Sequence, residues 1–231
     1  MSETATIPAL EGGDSFSGYV ARPASAARAA IIVIQEIFGV NEGIRRKCDT
    51  WAQHGYLAVA PDLFWRIRPG IELDPDVPEQ FQEGARCFGQ YDPDDGVKDI
   101  EATIHWLRHQ GFAKVGCVGY CLGGKLAYMA AARTDVSASV GYYAVGLDQM
   151  LGESKAIAHP LLLHIARADG FVSPEAQRAM HEGLDAHPKV TLFDYEGLDH
   201  GFAAEMGARR NEEGAQLADA RTREFFAQHL G

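Results

Sequence analysis

The chain has 231 residues, of which 46% are hydrophobic and 23% charged, a balance typical of a globular protein that can bury a substantial core. Its 21 basic and 32 acidic side chains give a formal net charge of −11, so we expect neither nucleic acid nor an anionic membrane surface as a partner. This charge does not exclude an anionic small-molecule substrate, because a single local cation can hold a carboxylate.

Strand patterns recur along the chain at residues 16–21, 29–35, 57–60, 114–118, 137–144, 160–166 and 190–195. Helix patterns lie between them at residues 42–54, 78–90, 95–110, 125–132 and 211–229, and a further helix begins at Pro174. We expect Asn41 to cap the first helix and residues 62–78 to form a long excursion. Strands that alternate with helices predict a mainly parallel sheet flanked by helices, in one α/β domain over residues 1–231.

The four cysteines, Cys48, Cys87, Cys117 and Cys121, form no Cys-x-x-Cys pair and show no zinc-ligand spacing, so we expect reduced thiols and no metal. Residues 1–6 lack the basic segment and the apolar core of a secretory signal peptide. No apolar run reaches membrane-spanning length. These features predict a cytoplasmic protein that acts away from membranes. They leave open whether it is a monomer or a small homo-oligomer.

Residues 119–123, Gly-Tyr-Cys-Leu-Gly, lie between a predicted strand and a predicted helix. Strand, sharp turn and helix are the context of a nucleophile elbow, here with Cys121 in the position usually held by serine. The flanking glycines suit a strained turn and a close approach of the helix. The Leu122 amide would lie at a helix N-terminus, where it can stabilise a thiolate and a developing oxyanion. Alternatively, Cys121 is a small buried apolar residue, the commonest fate of a free cysteine.

Two residues further along the chain complete the pattern of a catalytic triad. Asp169 and His200 each follow a predicted strand, and open parallel sheets place their sites at the carboxyl ends of the strands. Nucleophile, acid and histidine in this order are typical of the α/β-hydrolases. Asp148 and Asp194 are rivals for the acid, but neither combines the strand end with the chain order as well. The alternative for His200 is a histidine in a surface loop.

Five stretches together resemble the dienelactone hydrolase family, which consists of α/β-hydrolases with a cysteine nucleophile. The stretches are Gln35–Asn41, Ala60–Leu63, Gly119–Gly124, Gly141–Tyr143 and His200–Phe202, and they spread over nearly the whole chain. The resemblance implies a single-domain α/β-hydrolase fold and hydrolysis of small lactones, notably dienelactones, without a cofactor.

The resemblance also implies a role for each site residue. Cys121 would attack an acyl carbon, His200 would serve as its base, and Asp169 would orient the imidazole. Glu36 would be the additional carboxylate typical of the family, and its charge beside the thiol would keep the resting cysteine less reactive. We expect the neighbouring Ile37 amide to be the second oxyanion donor.

Two positions depart from the family pattern. Family members hold the substrate carboxylate with two arginines, and gapless counting puts Phe81 and Ala204 at those positions. Arg86 lies about 140° around the predicted helix from Phe81 and is no obvious substitute. Arg209 and Arg210 could fold back into the site instead. We therefore expect the catalytic pattern without the usual carboxylate clamp.

The pocket is accordingly expected to be apolar. The predicted substrate-binding residues are Phe38, Phe81, Tyr143, Phe171, Phe202 and Ala204. The aromatic side chains among them could equally belong to the core. The sequence thus predicts a cysteine-dependent hydrolase of small lactones or esters with an altered pocket. The alternatives are a general carboxylesterase of the same fold and a non-catalytic small-molecule-binding protein, and the intact triad pattern argues against the latter.

Overall fold

An eight-stranded sheet organises residues 2–231, the part of the chain that the computed structural model describes. Its strands are β1 (Ser2–Pro8), β2 (Ser15–Ala21), β3 (Ala30–Ile34), β4 (Leu57–Pro61), β5 (Val115–Tyr120), β6 (Ala138–Tyr142), β7 (Leu161–Ala166) and β8 (Val190–Tyr195). The helices are α1 (Glu42–Gln53), α2 (Pro78–Gln90), α3 (Pro93–His109), α4 (Leu122–Arg133), α5 (Pro174–Leu184) and α6 (Glu212–Leu230), with a 3-10 helix at Leu147–Ala156.

The strand order is β1-β2-β4-β3-β5-β6-β7-β8, with β1 and β2 antiparallel to their neighbours and the other pairs parallel. This confirms the predicted α/β fold with a mainly parallel sheet. Ile34 pairs with Gly119, and Tyr120 with Tyr142, so the carboxyl ends of β3, β5 and β6 lie at one edge. The loops after these strands and after β7 and β8 therefore open onto the same edge, where such sheets bind ligands.

The central strands are buried on both faces, which explains their continuous apolar runs. In β3, Ile32 and Ile34 pack into the core shared with α3, α4 and α5. Ile31 and Val33 face the opposite layer, formed by α1 and α6. Alternate side chains of these central strands thus pack into two different hydrophobic cores, one on each face of the sheet.

The predicted cap of α1 is confirmed, because the Asn41 side chain accepts a hydrogen bond from the Ile44 amide at 3.2 Å. Two elements were not anticipated. β1 is a polar, mostly exposed edge strand, so it carries little of the apolar signal that marks strands. The 3-10 helix, Leu147–Ala156, buries only Leu147 completely, and it too lacks a clear periodicity. Within residues 2–231, the helices are all too short or too polar to span a bilayer.

Candidate active site

The turn between β5 and α4 holds Cys121 in a strained conformation, with φ of 56° and ψ of −114°. Its amide donates to the Tyr142 carbonyl at 3.1 Å, and its own carbonyl accepts from the Gly124 amide at 3.0 Å. A Cβ atom at Gly119 would lie 1.9 Å from the Gly123 carbonyl oxygen, so only glycine permits this approach. A left-handed non-glycine residue costs roughly 1–3 kcal/mol, and such strain clusters at functional sites.

His200 and Asp169 form a buried pair beside this turn. The Asp169 Oδ2 atom lies 2.9 Å from His200 Nδ1, and the two side chains are 1% and 8% exposed, respectively. The other Asp169 oxygen accepts from the amides of Phe171 and Val172 at 2.8 and 3.2 Å. Because Nδ1 is engaged, Nε2 is the imidazole nitrogen left for Cys121.

The proton equilibrium of His200 reflects its partners. Burial by itself lowers the pKa of an imidazole because it disfavours the charged form. The Cys121 sulfur and the Asp169 carboxylate outweigh that effect and raise the pKa of His200 to about 10. The surroundings of His200 therefore favour its protonated, imidazolium form.

Asp199 ties together the two loops that carry this pair, and the sequence interpretation did not single it out. Its Oδ1 atom accepts from the Gly170 amide at 2.9 Å and from the His200 amide at 2.6 Å. The hydrogen bond from Gly170, assisted by that from His200, lowers the pKa of Asp199 although partial burial opposes it. Its place beside His200 in a glycine-flanked turn is the available signal, because aspartate side chains commonly bond turn amides.

Two aromatic rings hold the imidazole. Tyr143 and Phe171 each lie 4.9 Å from the His200 ring centroid, in edge-on geometry. Tyr143 and Phe202, expected to contact substrate, are each 1% exposed and pack against each other at 5.6 Å. Neither ring lines the cavity that contains His200, because both are buried in mutual packing.

A cavity of about 190 Å³ opens above Cys121 and His200. Its wall includes six further predicted site residues, namely Glu36, Ile37, Phe38, Phe81, Phe171 and Ala204. Phe88, Val145 and Met206 extend the apolar surface. The cavity is thus predominantly apolar, with the thiol and the imidazole in its wall.

Two backbone amides are the candidate oxyanion donors. Leu122 is the first residue of α4, and amides of a first helical turn have no acceptor within the helix. Ile37 follows the end of β3 and lines the cavity. The two segments are therefore adjacent at the same sheet edge, since β3 pairs with β5.

Glu36, which precedes Ile37, faces the same cavity. Burial raises its pKa, whereas His200, Lys47 and the Tyr143 hydroxyl oppose this shift. The Tyr143 hydroxyl is buried near enough to Glu36 for each group to shift the pKa of the other, although their geometry falls short of a regular hydrogen bond. Charge at Glu36 is thus balanced by several surrounding groups.

The arginines considered as replacements for a carboxylate clamp differ in position. Arg209 lines the cavity, with its guanidinium 5.3 Å from the Phe171 ring and 3.5 Å from Asp199 Oδ2. Arg210 instead pairs with Glu212 at 2.8 Å and Glu205 at 3.2 Å. Of these two arginines, Arg209 is therefore the one that a ligand in the cavity can reach.

The sequence and the fold of this chain are both similar to those of known proteins. The model of the dienelactone hydrolase family matches residues 16–230. The chain is 39% identical over 229 residues to a carboxymethylenebutenolidase of Pseudomonas putida, covering 98% of this chain and 97% of that one. It is 33% identical over 229 residues to carboxymethylenebutenolidase 1 of Cupriavidus pinatubonensis, with the same coverage. A crystal structure of dienelactone hydrolase from Anabaena variabilis has the same fold, with a TM-score of 0.72, 19% identity, and coverage of 100% and 99%.

Proposed function

This chain belongs to the dienelactone hydrolase family, a family of hydrolases that act on carboxylic ester or lactone bonds, and we propose that it uses Cys121 as its nucleophile. The observation that carries this proposal is the strained turn that turns Cys121 toward His200, whose Nδ1 is held by Asp169. The apolar character of the cavity supports a small substrate with little charge.

In the first half of the reaction, the Cys121 thiolate forms a C–S bond to the acyl carbon while the carbonyl electrons move to oxygen. The amides of Ile37 and Leu122 stabilise this oxyanion, and one well-placed donor contributes roughly 3–4 kcal/mol to such a step. Collapse of the oxyanion breaks the C–O bond, and the His200 imidazolium gives its proton to the leaving alkoxide. A lactone ring opens at this step.

In the second half, neutral His200 removes a proton from water, which attacks the thioester. The C–S bond breaks, the carboxylic acid product forms, and the thiolate–imidazolium pair returns. Asp169 keeps Nε2 directed at the reacting atoms and stabilises the imidazolium. Glu36 beside the thiol disfavours the thiolate and so limits the reactivity of the resting enzyme.

The pocket favours substrates without a carboxylate at the position where the family carries its clamp. Phe81 and Ala204 both line the cavity and offer no donor there. An unpaired carboxylate would lose hydration without compensation. The charge of Arg209 is shared with Asp199, and Asp76 also lines the cavity, so the local field is not strongly positive.

A general carboxylesterase of the same mechanism is the second candidate. Phe88 and Phe171, which line the cavity, are 40% and 50% exposed. An apolar rim of this kind can contact the alcohol portion of an ester larger than a lactone. Comparing kcat/KM for lactones with that for alkyl and aryl esters separates the two candidates.

The nucleophile is tested by trapping its intermediate. An activated aryl ester should give a burst of one equivalent of phenolate, and acid quenching within the burst should leave an acyl group on the peptide that contains Cys121, as seen by mass spectrometry. Cys117, four residues earlier and fully buried, is the matched internal control and should stay unmodified. Acylation at a different residue, with rapid turnover, would contradict the proposal.

The pocket is tested with a matched pair, a carboxylated lactone and its neutral analogue. We expect the neutral member to have the higher kcat/KM. Arg209→Met and, as the control, Arg210→Met should leave turnover of the neutral lactone nearly unchanged. A strong wild-type preference for the carboxylated lactone that Arg209→Met abolishes would mean that Arg209 has replaced the clamp.

A further inference from the structure

Behind Glu36 lies a second, small cavity of about 10 Å³ on the side of the sheet covered by α1. Its wall includes Glu36, Lys47, Tyr120 and Glu205. Glu36 is therefore shared between this inner cavity and the larger one that holds Cys121. A charge placed in the inner cavity acts on the thiol through the carboxylate that separates them.

Lys47 supplies that charge from within the protein. Its side chain is 6% exposed, and its ammonium lies 3.1 Å from Glu205 and 3.1 Å from Asp219. The Tyr120 ring lies beneath it, 5.2 Å from centroid to Nζ. Burying an ammonium is costly unless anions compensate for the lost hydration. The two carboxylates beside Lys47 provide this compensation and hold its charge inside the protein.

The charged and titratable groups around Glu36 form two sets. Cys121, His200, Arg209 and Asp76 line the larger cavity with it, and the Tyr143 hydroxyl also lies near it. On the inner side the corresponding groups are Lys47, Tyr120, Glu205 and Asp219. Lys47 is the cation among the inner groups and, after His200, the strongest influence that lowers the pKa of Glu36 against the effect of burial.

We propose that Lys47 is a positioning residue that keeps Glu36 ionised in the wall between the two cavities and thereby restrains Cys121. The proposal rests on the proposed function, because it concerns the reactivity of the same thiol. Without Lys47, Glu36 would lie beside Glu205 and Asp219 with less compensation and would bind a proton more readily. A neutral Glu36 no longer opposes the thiolate.

The test is a double-mutant cycle of Lys47→Met and Glu36→Gln. For each variant, the rate at which iodoacetamide alkylates Cys121 is measured as a function of pH, by mass spectrometry of the peptide that contains Cys121. The inflection due to Glu36 is defined as the one that Glu36→Gln removes. Lys47→Met should move this inflection upward by about one pH unit, since a nearby cation typically lowers a carboxyl pKa by that amount or more. In the Glu36→Gln background, Lys47→Met should produce no comparable shift.

Two further variants separate coupling from packing. Arg46→Met removes an exposed cation from the same helix and should leave the profile unchanged. Asp219→Asn removes one of the two carboxylates paired with Lys47 and should move the Glu36 inflection to lower pH. This variant tests the proposal independently if Lys47→Met does not fold.

An unmoved inflection in both Lys47→Met and Asp219→Asn, or the same shift with and without Glu36, would overturn the proposal. Hydrolysis by Cys121→Ala would instead overturn the proposed function. The two failures are distinguishable because alkylation does not require turnover.

Discussion

His164 and His200 are both buried, yet their surroundings move their proton equilibria in opposite directions. His164, in β7, contacts two hydroxyls, with Tyr195 at 2.7 Å from Nδ1 and Thr222 at 2.9 Å from Nε2. Burial, assisted by nearby Arg221 and Lys47, lowers its pKa to about 3. His200 experiences the same kind of burial, but the anions beside it raise its pKa to about 10.

The difference shows that burial alone does not make a histidine reactive. His164 bonds neutral groups and stays an uncharged part of the core between the sheet and α6. His200 lies past the end of β8, where the sheet edge brings an acid to one nitrogen and a thiol toward the other. Charged partners rather than burial thus separate the two histidines, and removing those partners should make their pKa values more alike.

The largest expected effect follows from Cys121→Ala. Loss of the nucleophile should reduce kcat by several orders of magnitude, because the remaining binding and oxyanion groups cannot replace covalent attack. The variant should also lower the pKa of His200, since the Cys121 side chain that raises it is gone, while His164 is unaffected. Ester hydrolysis assays and NMR titration of the histidines measure the two effects.

An unchanged melting temperature is the control for folding of Cys121→Ala. Near wild-type turnover by the folded variant would exclude Cys121 as the nucleophile. A His200 titration that does not move would show that the thiol contributes little to its charge.

A smaller loss is expected from Asp169→Asn. The amide preserves the shape but removes the anion that pairs with His200 Nδ1, and in such triads this change costs up to about 10⁴-fold in kcat. Asp194→Asn, at an exposed pair with His181, is the matched control and should retain activity. Full activity in Asp169→Asn would assign the orienting role to another acid, of which Asp199 is the nearest to His200 in the chain.

For His164 the expected effect concerns stability rather than rate. Its folded pKa lies below the unfolded value of 6.5, so its contribution is present above pH 6.5 and is lost as the pH falls toward 3. Between pH 6.5 and 4 this loss amounts to a few kcal/mol of unfolding free energy. His164→Gln cannot titrate in this range, so its urea-unfolding free energy should fall less steeply over the same interval. Equal slopes for variant and wild type would mean that His164 is protonated at little cost.

The elements that carry the site could be predicted from local patterns. Cys121, Asp169 and His200 each follow an apolar strand, and parallel strands bring such positions to one edge. Tyr143 and Phe202 could not be assigned in this way, because an aromatic residue near a strand end packs equally well into a core or a pocket, and only the tertiary contacts decide.

The ion pairs of Lys47 with Glu205 and Asp219 also could not be predicted from local sequence, because their residues are far apart in the chain. Lys47 and Asp219 are 172 residues apart, and each alone resembles an ordinary surface charge on an amphipathic helix. Their contact depends on α1 and α6 packing on the same face of the sheet. The position of Arg209 in the cavity wall likewise could not be predicted without the loop structure, because counting along the chain does not show which of two adjacent arginines faces the cavity.

The smallest expected effect, and the one that most sharpens the contrast between the two histidines, comes from Glu36→Gln. Glu36 is a further anionic group near His200, and its charge both opposes the thiolate and favours the imidazolium. Removing that charge should speed Cys121 alkylation near neutral pH by a few-fold. It should also lower the pKa of His200. The iodoacetamide rate from pH 5 to 10 measures the first effect, and NMR of the imidazole measures the second. Glu42→Gln, an exposed carboxylate near the start of α1, is the control and should change neither. If Glu36→Gln also leaves both unchanged, Glu36 does not restrain the thiol, and the state of His200 is set by Cys121 and Asp169 alone.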